Sequence, residues 1–117
     1  MTTSSSTPGK TTIAPEVLTS IAKLTALSVD GVSRLASIPS DVNRFFNRNM
    51  SEGVKINVDD GTVYADIYVI LKPDISVREV CHNIQHKVSR AISEMVGMEV
   101  GKINIHVEDI ELLNSVE

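Results

Sequence analysis

The sequence has no tryptophan, two tyrosines, two phenylalanines and a single cysteine, and each shortage narrows what the chain can be. With so few aromatics, a core has to be assembled from Val, Ile and Leu, and the hydrophobic share of 42% supplies them. Cys81 alone can neither close an internal disulfide nor build a thiolate metal site. On the apolar side of a predicted helix, it reads as a small buried hydrophobe. Apolar runs such as Ile67 to Leu71 are far short of the roughly 18 residues that span a bilayer. Basic charge is short too: 11 Lys and Arg against 15 Asp and Glu leave a net charge of −4. That balance argues against a protein whose main work is neutralising phosphates. The opening MTTSSSTPGKTT lacks the apolar stretch of a secretory signal, so the expected compartment is the cytoplasm.

What is present is organised around one hairpin in a chain of 117 residues, the size of a single domain. Val54, Ile56 and Val58 alternate with Lys55, Asn57 and Asp59. After Asp60-Gly61, Val63, Ala65, Ile67, Val69 and Leu71 alternate with Thr62, Tyr64, Asp66, Tyr68 and Ile70. Period-two alternation sends the two sets to opposite faces of a sheet, and Asp-Gly accepts the positive φ of a tight turn. One face is aliphatic and needs a cover. The other carries Lys55, Asn57, Asp59, Tyr64, Asp66 and Tyr68.

Residues 1–12 are rich in Ser and Thr and are expected to form a disordered tail. Pro15 suits the first helical position and Glu16 the positive end of the helix dipole. Val17, Ile21, Leu24 and Ser28, widened by Ala14, Leu18 and Thr25, predict the core side of a helix ending near Asp30-Gly31. Val32 to Leu35 is short enough for an edge strand. Beyond the hairpin, Lys72-Pro73-Asp74 breaks the strand and Ser76 with Glu79 forms a capping box. Val77, Val80, Cys81, Ile84, Val88, Ala91, Ile92 and Met95 then run as a helical stripe to Gly97. Lys102 to Glu108 alternates again, with Ile103, Ile105 and Val107 on one face and Asn104, His106 and Glu108 on the other. Residues 111–117 are expected to fray. The element order α-β-β-β-α-β predicts an α+β two-layer sandwich, a small mixed sheet of about four strands with two amphipathic helices on one face. The other face is left to water or to a partner.

Few residues suggest chemistry. His82 and His86 stand at i and i+4, the spacing by which a helix presents two imidazoles to a metal. Asn83 occupies the place where the metalloprotease pattern needs Glu, and both histidines lie opposite the apolar stripe, so a solvated helix face is expected. Asp59 and Asp60 belong to a hairpin turn, where Asp is favoured for its backbone geometry. Gly97 to Gly101 is a helix-to-strand turn and matches no phosphate loop. The expectation is therefore a protein without catalytic residues, cofactor, metal or small-molecule substrate.

Two features could meet a partner. In Asp41 to Asn49, DVNRFFNRN, the residues Val42, Phe45 and Phe46 share one side of a short helix, with Arg44 and Arg48 elsewhere around it. This turn either closes one end of the core or is an amphipathic docking element, with aromatics to bury and arginines to meet acidic groups. Tyr64 and Tyr68 share a side of one strand. Aromatics on a sheet face can stack bases, so a single-stranded nucleic-acid-binding module is the alternative reading. Asp59, Asp66 and Glu108 repel phosphates at least as strongly as Lys55 attracts them, which favours a protein interface or a solvated face.

Ile13-Ala14-Pro15-Glu16-Val17, Ile21-Ala22 and Val29-Asp30-Gly31-Val32 resemble the opening of the alkaline shock protein family of Gram-positive envelope stress proteins. Gly53 to Ile56, Asp66 to Ile70, Val80 through Met95 to Val100, and Ile103 to Val107 continue the likeness in order, over about residues 12 to 110. Lys72-Pro73-Asp74 departs from the aromatic-glycine turn the family often has, and the segment 37–52 is this chain's own. The resemblance implies one domain over 13–110 of a non-enzymatic protein that self-associates in the cytoplasm. In some members a separate membrane-anchored protein holds it near the membrane. No catalytic residues carry over. The candidate partner interface is Arg44, Phe45, Phe46, Arg48, Tyr64 and Tyr68.

Overall fold

The structure, a computed structural model, describes residues 7–38, 50–51 and 53–112. Its elements in chain order are α1 (Pro15–Leu27), β1 (Val32–Leu35), β2 (Met50–Ser51), β3 (Val54–Asp59), β4 (Thr62–Leu71), α2 (Val77–Val96) and β5 (Glu99–Ile110). This is the expected α+β sandwich, enlarged by the two-residue strand β2. Residues 7–14 carry no regular structure and are exposed. The Phe45/Phe46 segment lies outside the described residues, as do residues 113–117.

β4 is the centre of the sheet. Asp60 and Gly61 take φ values of 53° and 78°, the two positive values of a type I′ turn, and β3 pairs antiparallel with β4 from Val54↔Ile67 to Asp59↔Thr62. β1 pairs antiparallel with the far end of β4, from Val32↔Leu71 to Leu35↔Val69. β5 runs parallel to β4 along its whole length, from Thr62↔Glu99 to Leu71↔Ile110, with α2 as the crossover a parallel neighbour requires. Since β5 occupies one edge of β4, β1 and β3 must lie end to end along the other. The seam between them is at Tyr68, whose N–H donates to the Gly53 carbonyl at 2.8 Å while its carbonyl accepts the Ala36 N–H at 2.8 Å. Gly53 has φ 81°, and a Cβ there would stand 2.6 Å from that of Leu35, so only glycine fits the join.

Val63, Ala65, Ile67, Val69 and Leu71 all point to the helices and are essentially inaccessible. Val80, Ile84, Val88 and Ile92 of α2 and Leu18, Ala22 and Ala26 of α1 complete this core with Val54, Ile56 and Ile103. α2 starts where expected: the Ser76 side chain accepts the Glu79 N–H, and Gly97 closes the helix in the left-handed conformation. α1 has Pro15 in its first turn but ends at Leu27, short of Asp30-Gly31, with the Ser28 hydroxyl donating to the Thr25 carbonyl at 2.6 Å.

The face of α1 is the main correction. Of the stripe Val17, Ile21 and Leu24, read as core, Ile21 packs against it half-buried while the other two are turned outward: Val17 is 45% and Leu24 67% exposed. The helix buries Leu18, Thr19, Ala22 and Ala26 instead, and Thr19 satisfies its hydroxyl on the Pro15 carbonyl at 3.1 Å. α1 packs against α2, β1 and β3, and alanines allow that close approach where larger side chains would hold the helix off. The α2 stripe is also narrower than its pattern: Val77 and Met95 are exposed, and Cys81 is half-buried, not fully buried. β5 extends three residues before Lys102 and two past Glu108, because it is longer than its alternating stretch and absorbs extra residues as bulges. Glu111, expected to fray, donates its N–H to the Leu71 carbonyl at 2.7 Å and meets Ser33 and Arg34 through its carboxylate.

Candidate functional site

The open face of the sheet carries a connected polar and aromatic cluster. Alternation on β4 turns Tyr64, Asp66 and Tyr68 away from the helices, and the parallel register sets Asn104 beside Asp66 and His106 beside Tyr68. One carboxylate oxygen, Oδ1 of Asp66, accepts from Asn104 Nδ2 at 3.2 Å and lies 2.9 Å from His106 Nε2. The Tyr68 and His106 rings stack with centroids 4.4 Å apart and planes 14° from parallel. Partial burial, and then the negative charges of Asp66 and Glu108, push the Tyr68 phenol above its usual range. At the other end, Tyr64 covers Gly101, where a Cβ would collide with the ring. Gly101 lies in the first of two bulges in β5, where pairing skips from Val63↔Val100 to Ala65↔Ile103.

Sequence reasoning named Tyr64 and Tyr68 and set Asp66, Asn104 and His106 on the same face. It missed that His106 joins Asp66 to Tyr68, because that contact depends on the register between β4 and β5. Lys55 lies directly across from Asp66 on β3. Arg44, Phe45, Phe46 and Arg48 lie outside the described residues.

Two further surfaces stand on the helix layer. The outward side of α1 forms, with Met95 of α2, a groove of about 420 Å³ lined by Glu16, Val17, Ser20, Ile21, Leu24, Thr25 and Met95. His82 and His86 are exposed on α2 and line a second groove of about 490 Å³ with Ser89, Lys102 and Asn104. Among the described residues, no group of three or more His, Cys, Asp or Glu is placed to hold a metal ion. Nor is any helix there long and apolar enough to cross a membrane.

These surfaces sit on a chain whose residues 3–112 match the model of the alkaline shock protein family, described as having a cell envelope-related function. The chain belongs to this family. Membership establishes the resemblance read from the sequence and, with it, a function tied to the cell envelope. Similar proteins include the uncharacterized YqhY of Bacillus subtilis, 31% identical over 105 residues that cover 88% of this chain and 78% of that protein. Another is the uncharacterized Spy1535 of Streptococcus pyogenes serotype M6, 35% identical over 103 residues, covering 87% and 79%. Among solved structures, MamM CTD in its copper form matches with a TM-score of 0.56 at 14% identity, covering 87% of this chain and 92% of that one. A variant of MamM CTD matches with a TM-score of 0.55 at 15% identity, covering 82% and 95%. At such identities the likeness is one of fold.

Proposed function

We propose that the chain is a non-catalytic scaffold of the envelope stress response, working in the cytoplasm by associating with copies of itself and by presenting its open sheet face to a protein near the membrane. The family's envelope-related function supplies the setting. The observation that carries the reading is how the open-face groups are used: Asn104 and His106 engage the Asp66 carboxylate, and His106 also stacks on Tyr68. A carboxylate held by two neighbours presents a fixed, directional group for recognition. Tyrosine, histidine and asparagine fixed side by side form a pre-ordered contact patch of the kind that loses little entropy on docking.

The same stack weighs against the nucleic-acid alternative. Stacking needs a free aromatic face, and here one face of the Tyr68 ring is taken by His106, beside the negative charges of Asp66 and Glu108 that repel a phosphate backbone.

Sedimentation velocity over a wide concentration range tests self-association, which predicts growth in mass with concentration. A strict monomer at every concentration would refute it. Fractionation of cells carrying Tyr68→Ser with His106→Ser tests the open face. The expected outcome is loss of the membrane-associated fraction with folding intact, and unchanged retention of that fraction removes the open face from the proposal.

A further inference from the structure

We propose that two copies of this chain join through the free edge of β5, which pairs antiparallel with its counterpart about Ile105 and makes one sheet of two. The inference rests on the self-association reading and gives it an interface. Among the described residues no strand pairs with the outer side of β5, although at 12 residues it is longer than the central strand β4. A long open edge is a template for a further strand.

Backbone parity identifies the groups at that edge. Asp59↔Thr62 closes the hairpin, so the even-numbered residues of β4 turn their backbone groups to β3 and the odd-numbered ones to β5. In the parallel pair Ile67 then bonds to Asn104 and His106, on either side of its neighbour Ile105. The N–H and C=O groups of Ile103, Ile105 and Val107 therefore point out of the sheet. The Ile103 carbonyl bears this out by accepting the Gln85 side-chain amide at 2.9 Å, and its second lone pair is left for another donor.

The edge is complementary to itself. Between its two bulges β5 pairs without a break from Ile103 to Val107, a run centred on Ile105. In an antiparallel pair about that centre, Ile105 meets Ile105, Ile103 meets Val107, Asn104 meets His106, and Lys102 meets Glu108. The aliphatic pairs fall on the helix side, the Asn104–His106 pairs on the open side, and opposite charges close each end. Centring on Asn104 sets Val100 against Glu108, and centring on His106 sets Ile103 against Asp109 and Lys102 against Ile110. Charge and polarity thus select Ile105. Burial agrees: Ile67 and Val69 of β4 are inaccessible, whereas their β5 neighbours Ile105 and Val107, packed on the same core, are only half-buried. The groove beside His82, Gln85, His86 and Ser89 runs along this edge and gives the second strand room. Such a contact is isologous and closes at the dimer. It also sets the Asp66, His106 and Tyr68 clusters of both copies on one continuous open face.

Sedimentation velocity tests the interface. Ile105→Pro removes an outward N–H that β4 does not use and should weaken self-association by roughly 30-fold. Lys102→Glu and Glu108→Lys should each weaken it by roughly 10-fold. Mixed, these two charge variants should dimerise with each other, because every end pair is again of opposite sign. Amide hydrogen exchange of the wild type adds a readout free of substitutions. Protection of the Ile103, Ile105 and Val107 N–H groups should rise with protein concentration, while Asn104 and His106 are protected throughout. A wild type that assembles while all three variants assemble equally well overturns this interface and leaves self-association standing. A wild type that stays monomeric at every concentration overturns both.

Discussion

The two helices cover the same sheet face, yet they distribute their apolar residues differently. α2 has one stripe, and Val80, Ile84, Val88 and Ile92 bury it. α1 has two: a face of Leu18, Ala22 and Ala26 that meets the core, and an edge of Val17 and Leu24 that does not, with Ile21 half-buried between them. The difference is one of distance. Where a helix must approach both a sheet and a second helix, small side chains give the closest packing, and larger ones are left for another surface. In α2 hydrophobicity reports the core. In α1 it reports the core and an exposed edge.

The contrast can be broken in order of expected effect. Ile84→Ala removes a fully buried side chain from the α2 stripe and should cost about 2–5 kcal/mol in urea unfolding. Ala22→Leu overfills the close contact of α1 and should cost about 1–3 kcal/mol, although it makes the helix more hydrophobic. A neutral result there would mean that α1 does not pack closely. At the border of the α2 stripe, burial pushes the Cys81 thiol above its ordinary value of 9.0. The protonated thiol is therefore favoured in the fold; its contribution is full at lower pH and is lost as pH rises from about 9 through the folded value. Wild type should lose more stability than Cys81→Ala between pH 8 and 10.5, and Cys81 should alkylate more slowly than a free thiol at pH 8. Leu24→Ser, on the outward stripe, should change stability by no more than about 0.5 kcal/mol. A loss comparable to that of Ile84→Ala would return the stripe to the core.

The hairpin was legible because alternation and Asp60-Gly61 agree, and α2 because Ser76 and Gly97 bracket a single stripe. Hydropathy misread part of α1 because it weights Val17 and Leu24 above Ala22 and Ala26, whereas burial there was decided by size. The open face was legible as a set of residues but not as a cluster. Asp66 and His106 are forty positions apart and meet only through a parallel register that two bulges in β5 adjust. Local pattern carries no information about that register. β2 was missed because two residues show no alternation.

The seam at Tyr68 bears on how such a protein can diversify. The bonds to Gly53 and Ala36 close the sheet without help from the chain that leaves after Ile38 and returns at Met50. Lengthening that excursion, or replacing its letters, leaves both bonds in place, and doubling a loop costs only about 0.6 kcal/mol in closure entropy. The closure of the sheet is thus indifferent to which residues join Ile38 to Met50.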